Sequence, residues 1–431
     1  MRRLAIISIL LAPGCNIDTP SAIPRPANAV DVEFVFCRYD LPDWVAIKNE
    51  GHPWRLVSFV GRQAYQYPVT PRVIVAYGVS DQDDHTQVLY VTAEELDQAR
   101  CGPTLGDKLN FLNIETPLPD PEPVTAFAAA GSGFGWQQNS STQLRIENVP
   151  EGPQDLLTVW APTRDSTPSY VLRRGVQALH SNLFENVSFN GGAARSTGRF
   201  GLNLSEMVDG RVESMILTSR GTHWDLGSTR VVNGAGKYMA LPAELLESGD
   251  LHRLSLLTGD GRGVALYSSS NAAESMTLGP ALERPSVLTV ATTPSLRMRA
   301  VLPSQAAYPS FAKTTFYQTS GFTVRKFTIV VSAGYMAGRP EQWTMEMPEL
   351  PISTQALDPN GETFWHVEAW NAPSGLFFGH LGAASGSMAQ CAVVTSFDTL
   401  PSRACRTPLR TRTFGYVPAP LFERDTTTTP P

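Results

Sequence analysis

The chain has 431 residues, 17% of them charged, with 34 basic against 40 acidic side chains and a formal net charge of −6. Without a basic block anywhere, that balance argues against nucleic acid as a partner. A hydrophobic share of 42% is enough to build cores and excludes a disordered chain, and the length calls for two to four domains.

Arg2 and Arg3 precede an apolar run from Leu4 to Ala12, the charged-then-apolar pattern of an export signal. The run is far short of the roughly 20 residues that span a bilayer. It ends in Ala12-Pro13-Gly14-Cys15. This segment resembles the signal peptides of bacterial lipoproteins, with Gly14 and Cys15 matching the cleavage box and Ala12 and Pro13 departing from its commoner residues. The resemblance implies cleavage before Cys15 and lipid modification of its thiol, so the lipid bilayer is the first expected partner. Asn16 follows, where an aspartate would favour inner-membrane retention, so an outer membrane or cell surface is the expected address. Residues 16–29 read as a flexible tether.

Setting Cys15 aside leaves Cys37, Cys101, Cys391 and Cys405. Four cysteines allow three pairings, and the two groups lie far apart in sequence, so Cys37–Cys101 and Cys391–Cys405 are the expected disulfides. An exported chain meets an oxidising compartment where such bonds persist.

From residue 30 onward the chain reads as short runs rich in Val, Ile, Tyr and Phe, broken by Gly, Pro, Asn and Asp. That is the pattern of antiparallel sheet. A short helix is expected over 92–100, where Thr92 and Glu95 form a capping box that would deliver Cys101 toward Cys37. "TPLPDPEPV" (116–124) reads as a linker. Beyond it, residues 141–162 read as two strands about a Pro-x-Gly turn. Asn148, Val149, Pro150, Gly152 and Leu156 there resemble a segment of carboxypeptidase-regulatory-like and related transthyretin-like modules. The resemblance implies a small noncatalytic β-sandwich. "LPAELLESGD" (241–250) suggests a one- or two-turn helix. In 324–331, Val324, Lys326, Thr328 and Val330 alternate with Arg325, Phe327, Ile329 and Val331, as on a strand with one well-buried face.

The expected fold is therefore mainly β, with several β-sandwich (Ig-like or transthyretin-like) domains in tandem. Their boundaries fall at 30–116, 117–181, 182–283 and 284–420, ahead of a tail at 421–431.

The chemistry is sparse. The seven histidines are dispersed, and neither H-E-x-x-H, paired C-x-x-C nor G-x-S-x-G occurs. No catalytic residue and no cofactor is expected. Asp81, Asp83 and Asp84 form the one acidic loop with the ligand type that calcium favours, although a polar hairpin tip accounts for them equally. "FWHVEAW" (364–370) is the ligand-binding candidate. On a strand, Phe364, His366, Glu368 and Trp370 share one face, opposite a core face of Trp365, Val367 and Ala369. The mixed face suits a sugar or peptide platform, which Trp343 would join, and a paired His366 and Glu368 suits acid–base work, although an aromatic belt at a domain junction accounts for the same residues. The functional expectation is a membrane-anchored envelope or surface lipoprotein with a noncatalytic binding or structural role, its further partners a glycan or an envelope protein. A carbohydrate-binding protein of polysaccharide uptake or degradation is one alternative, which needs an exposed platform around Trp370. An exported hydrolase with an unrecognised active site is the other.

Overall fold

The computed structural model describes residues 25–35, 42–57, 64–80, 84–97, 110–115, 125–131, 133–137, 143–149, 152–161, 168–177, 184–187, 189, 194–269, 271–320, 323–352, 356–371 and 409–417. Strands dominate, as expected from the punctuated β-branched and aromatic runs, and they assemble into several sheets packed in sandwich-like fashion. Cys15, Cys37, Cys101, Cys391 and Cys405 lie outside the described residues, as do the 116–124 linker and the 421–431 tail. Among the described residues no helix is long and apolar enough to cross a membrane.

The tandem order is not what the sheets follow. Asp84–Thr92 runs parallel to Thr323–Ser332, in register from Asp84 opposite Arg325 to Tyr90 opposite Val331. The expected 30–116 and 284–420 domains thus share one sheet. Side-chain hydrogen bonds add to the ladder at this seam: Ser332 Oγ donates to Glu95 Oε2 at 2.6 Å, and the Tyr90 hydroxyl donates to the Glu346 carbonyl at 3.3 Å. Pairing of strands so far apart leaves no local trace in sequence, because each strand carries only its own alternation.

This shared sheet is buried on both faces. Phe327, Ile329 and Val331 enter a core with Ala46, Val88, Val367 and Ala369, over which the small sheet of Ser286–Ala291, Arg297–Pro303 and Gln342–Glu346 is laid. Val330 points the other way, into a core with Val45, Leu89, Phe311 and Trp370. The expectation of one buried face on 324–331 is corrected accordingly: from Phe327 to Ser332 every residue is buried.

The capping box forms as read. The Thr92 amide donates to Glu95 Oε2 at 2.8 Å and the Glu95 amide donates to Thr92 Oγ1 at 3.1 Å, opening the helix Ala93–Asp97. Because Glu95 also receives Ser332, the cap is part of the seam. Thr92→Ala is expected to cost about 1 kcal/mol, read as a shift of the chemical-denaturation midpoint.

A second sheet has eight strands, and it begins at Asn110–Glu115 and takes in Phe184–Asn186 and Arg195–Ser196. The expected boundaries at 117 and 181 therefore cut through one sheet. Gln143–Val149 and Pro153–Ala161 are both strands, with Gly152 at φ +93° between them, but they are separated in the sheet by Gly133–Gln137 and Thr125–Ala130. Leu156 packs with Ile114, Ile146 and Val171 on one face. Leu157 and Val159 pack on the other against Ile216 and Leu226 of the following segment. The strand Pro153–Ala161 is thus covered on both sides.

Residues 198–278 coil strands around Leu202, Val212, Tyr238, Leu254 and Leu256, antiparallel except where Gly198–Leu204 runs parallel to Glu274–Met276. The turn from Val232 to Ala235 is an Asn-Gly hairpin, with Asn233 at φ 49° and Gly234 at φ 75°. Gly234 has a second reason to be glycine: a Cβ there would lie 2.3 Å from the Glu206 carbonyl oxygen. The helix expected over 241–250 contracts to one 3₁₀ turn, Ala243–Leu245, and Gly249 at φ +94° closes the segment.

Candidate functional site

The ligand-binding candidate falls on the strand Thr363–Asn371, which pairs with Phe311–Ser320. Register across the sheet builds a polar row that no single segment shows. His366 lies opposite Thr315, Thr315 opposite Thr328, Thr328 opposite Gln87, and Gln87 opposite Tyr77. Facing pairs in a sheet share one side, so the five side chains line one surface. Thr315 Oγ1 and Thr328 Oγ1 are 3.0 Å apart, His85 Nε2 is 3.0 Å from Thr328 Oγ1, and the Tyr77 hydroxyl donates to Gln87 Oε1 at 2.7 Å. Gln87 is buried, and its Nε2 has no acceptor among the described residues.

One residue along, Glu368 faces Lys313. Its carboxylate is only 2% exposed and sits 3.8 Å from Lys313 Nζ and 3.7 Å from His366 Nε2. Trp370 Nε1 donates to its Oε2 at 3.1 Å. A buried carboxylate needs such partners, because desolvating an unpaired ion costs several kcal/mol. Tyr317 completes the surface, stacked on Phe364 at 5.5 Å and tilted to His366 at 6.4 Å.

The structure thus brings His366 and Glu368 together on the face that the alternation assigns them, with Trp365, Val367 and Ala369 on the opposite side facing the other core. The exposed platform is corrected. Trp370 is 3% exposed, stacked on Phe311 at 5.4 Å inside a core. Trp343 is fully buried beside Met345 and Met347, in the core on the other side of the sheet, and does not join His366. Strand alternation separates two faces, but which face meets water depends on what packs there. Lys313, Thr315, Thr328, Gln87 and His85 enter the site by long-range register, which sequence reading missed.

In the acidic loop, Asp81 and Asp83 lie outside the described residues, and the Asp84 carboxylate stands 3.6 Å from Arg325 Nε. Among the described residues no group of three His, Cys, Asp or Glu side chains gathers as a metal site would.

A second polar cluster was not foreseen. Asp155 and Asp250, both with fully buried side chains, converge on Arg174 at 2.9 Å and 2.5 Å. Arg174 Nη2 also donates to the Leu245 carbonyl, and Arg220 Nη1 reaches Asp155 Oδ1 at 2.7 Å. Burial pushes the Asp155 carboxyl up. Hydrogen bonds from Arg220, Thr218, Arg174 and the Gly175 amide outweigh it and hold the group below the usual carboxylate range. The Asp250 oxygens take the Ser219 and Glu247 amides at 2.8 and 2.9 Å. Thr222 Oγ1 accepts from the Gly131 amide and donates to the Asp155 carbonyl. The cluster therefore ties the eight-stranded sheet to the 198–278 segment, at the same junction where Leu157 meets Ile216.

The fold and these sites define a mainly β, multi-sheet protein in which the buried Asp155, Asp250 and Glu368 are each matched by a cation. No family model matches the chain, and no curated protein does. Among solved structures it is similar to a streptococcal ancillary pilin, at 9% identity over 62% of this chain and 92% of that one, with a TM-score of 0.16. A likeness of that size identifies no family.

Proposed function

We propose that the chain is an exported, lipid-anchored envelope or surface protein with a noncatalytic binding or structural role. The observation that carries the reading is the Cys15 segment set close before a folded body. Arg25 already bonds the Ala29 carbonyl and pairs with Asp31, and Val30–Val35 pairs with Ala64–Val69. At roughly 3.5 Å per extended residue, the stretch from Cys15 to Arg25 reaches about 35 Å at most, so an acylated Cys15 would hold the body near the bilayer. The side chains that chemistry would draw on are spent on one another: Glu368 on Lys313, His366 and Trp370, and Asp155 on Arg174 and Arg220. This supports a scaffold that binds or assembles over one that turns over a substrate. An envelope protein or a glycan is the proposed partner, and an outer membrane or cell surface the proposed address.

Multiple acyl chains anchor stably where a single chain does not. Cys15→Ser is therefore expected to move the protein from the membrane pellet to the soluble fraction after cell lysis. Unchanged sedimentation of that variant with membranes would refute the anchor.

A further inference from the structure

We propose that the strand Ser286–Ala291 is the contact through which two copies of this chain associate, edge to edge about a two-fold axis. Among the described residues the free sheet edges differ in what they present to a partner. An exposed edge presents unpaired amides and carbonyls, and proteins blunt it with shortness, charge or proline. The fifteen-stranded sheet ends on Arg55–Val57 and Glu274–Met276, and the eight-stranded sheet on Phe184–Asn186 and Arg195–Ser196, all of three residues or fewer. In the two-stranded sheet, Val30–Val35 carries Asp31 and Glu33, and Ala64–Val69 carries Pro68. In the three-stranded sheet, Gln342–Glu346 carries Glu346. Ser286–Ala291 stands apart. It is six residues of "SVLTVA", with no charge and no proline, and among the described residues it is paired on one side only, to Arg297–Pro303.

The occupant that fits is the same strand from a second copy. Val287, opposite the buried Ala300, leans on the core below the small sheet, whereas Leu288 points outward and is 43% exposed. Antiparallel pairing must keep inward residues opposite inward ones. A two-fold axis at Leu288 does so, setting Leu288 against its own counterpart and Val287 against Thr289 of the second copy. No like charges meet. The outward row beyond Leu288 reads Arg299 and then Glu346, and these two are an ion pair, so the guanidinium nearest the axis is already matched. The register shift between Thr289 and Ala291 keeps the ladder short, which makes a weak dimer that confinement on a membrane would favour. The pairing goes beyond the proposed anchoring and does not rest on it.

The test uses the full chain carrying Cys15→Ser, so that the anchor plays no part. Sedimentation equilibrium is expected to show the mass rising from one chain toward two across the micromolar range. Adding Leu288→Lys, at an exposed position, is expected to hold it at one chain with an unchanged melting curve. Adding Leu288→Cys is expected to give a disulfide-linked dimer through residue 288 under mild oxidation, while Leu56→Cys, more exposed than Leu288 but on a short edge, gives none. A chain that stays monomeric throughout, a dimer that survives Leu288→Lys, or no residue-288 crosslink would each overturn the proposal.

Discussion

Replacing Arg174 by methionine is expected to destabilise the folded chain by about 3–5 kcal/mol, the range for removing one partner of a buried ion pair. The size follows from what the substitution leaves behind. Arg174 is the common partner of Asp155 and Asp250, whose side chains are fully buried, and it also satisfies the Leu245 carbonyl. Methionine fills most of the volume, so the loss reports the stranded charges rather than a cavity. Arg220→Met is the internal comparison. Its side chain is 39% exposed and meets only one of the two aspartates, so solvent screens the loss and about 1 kcal/mol is expected. Chemical denaturation followed by tryptophan fluorescence reads both, since Trp160 packs against the core of the eight-stranded sheet and Trp224 against the core at the junction. Equal effects from the two variants would contradict the account of the cluster. The pH dependence has a fixed sign. Asp155 titrates below its unfolded value, so its contribution is present above the unfolded carboxylate pKa and is lost as pH falls through the depressed folded one.

A second loss of stability is expected at milder acidity, and it belongs to His252. Its ring is fully buried on Leu251–Thr258, and its Nε2 accepts the Leu241 amide at 3.0 Å. The accepting nitrogen fixes the neutral tautomer with the proton on Nδ1. Burial pushes the pKa down from 6.5 to about 4, against the upward pull of Asp250. For a base whose folded pKa is depressed, the unfolded chain binds the proton first as pH falls. Stability is therefore intact above about 6.5 and is lost progressively down to about 4, by about 3 kcal/mol in all. His252→Gln keeps an acceptor for Leu241 and removes the titration. Its denaturation midpoint is expected to lose that part of the slope and to keep the part that comes from His223, whose pKa burial also lowers. An unaltered slope in His252→Gln would show that another group carries the acid sensitivity.

The elements themselves were legible because their signals are local. The Thr92–Glu95 box, the face of Trp365, Val367 and Ala369, and the run of short strands all depend on residues within a few positions of one another. What escaped depends on partners far along the chain. Asp84 meets Arg325 in a parallel ladder, and His85 meets Thr328 243 residues away, so a boundary drawn at a proline-rich stretch divides what the sheet joins. Trp370 escaped for a related reason. Its alternation is that of a half-exposed strand, but Phe311, Val45 and Leu89 cover the side that the pattern leaves to water. Arg174 reads as an ordinary polar residue on a strand until the 3₁₀ turn at Ala243–Leu245 and the turn at Thr218–Thr222 fold over it.

The functional proposal rests on the state of one atom, the Cys15 sulfur. Mass spectrometry of the N-terminal peptide from protein purified out of its native membrane tests it most directly. The account predicts that the mature chain begins at Cys15 and carries acyl groups there. A mature chain that begins elsewhere, or a Cys15 that carries no lipid, would contradict it.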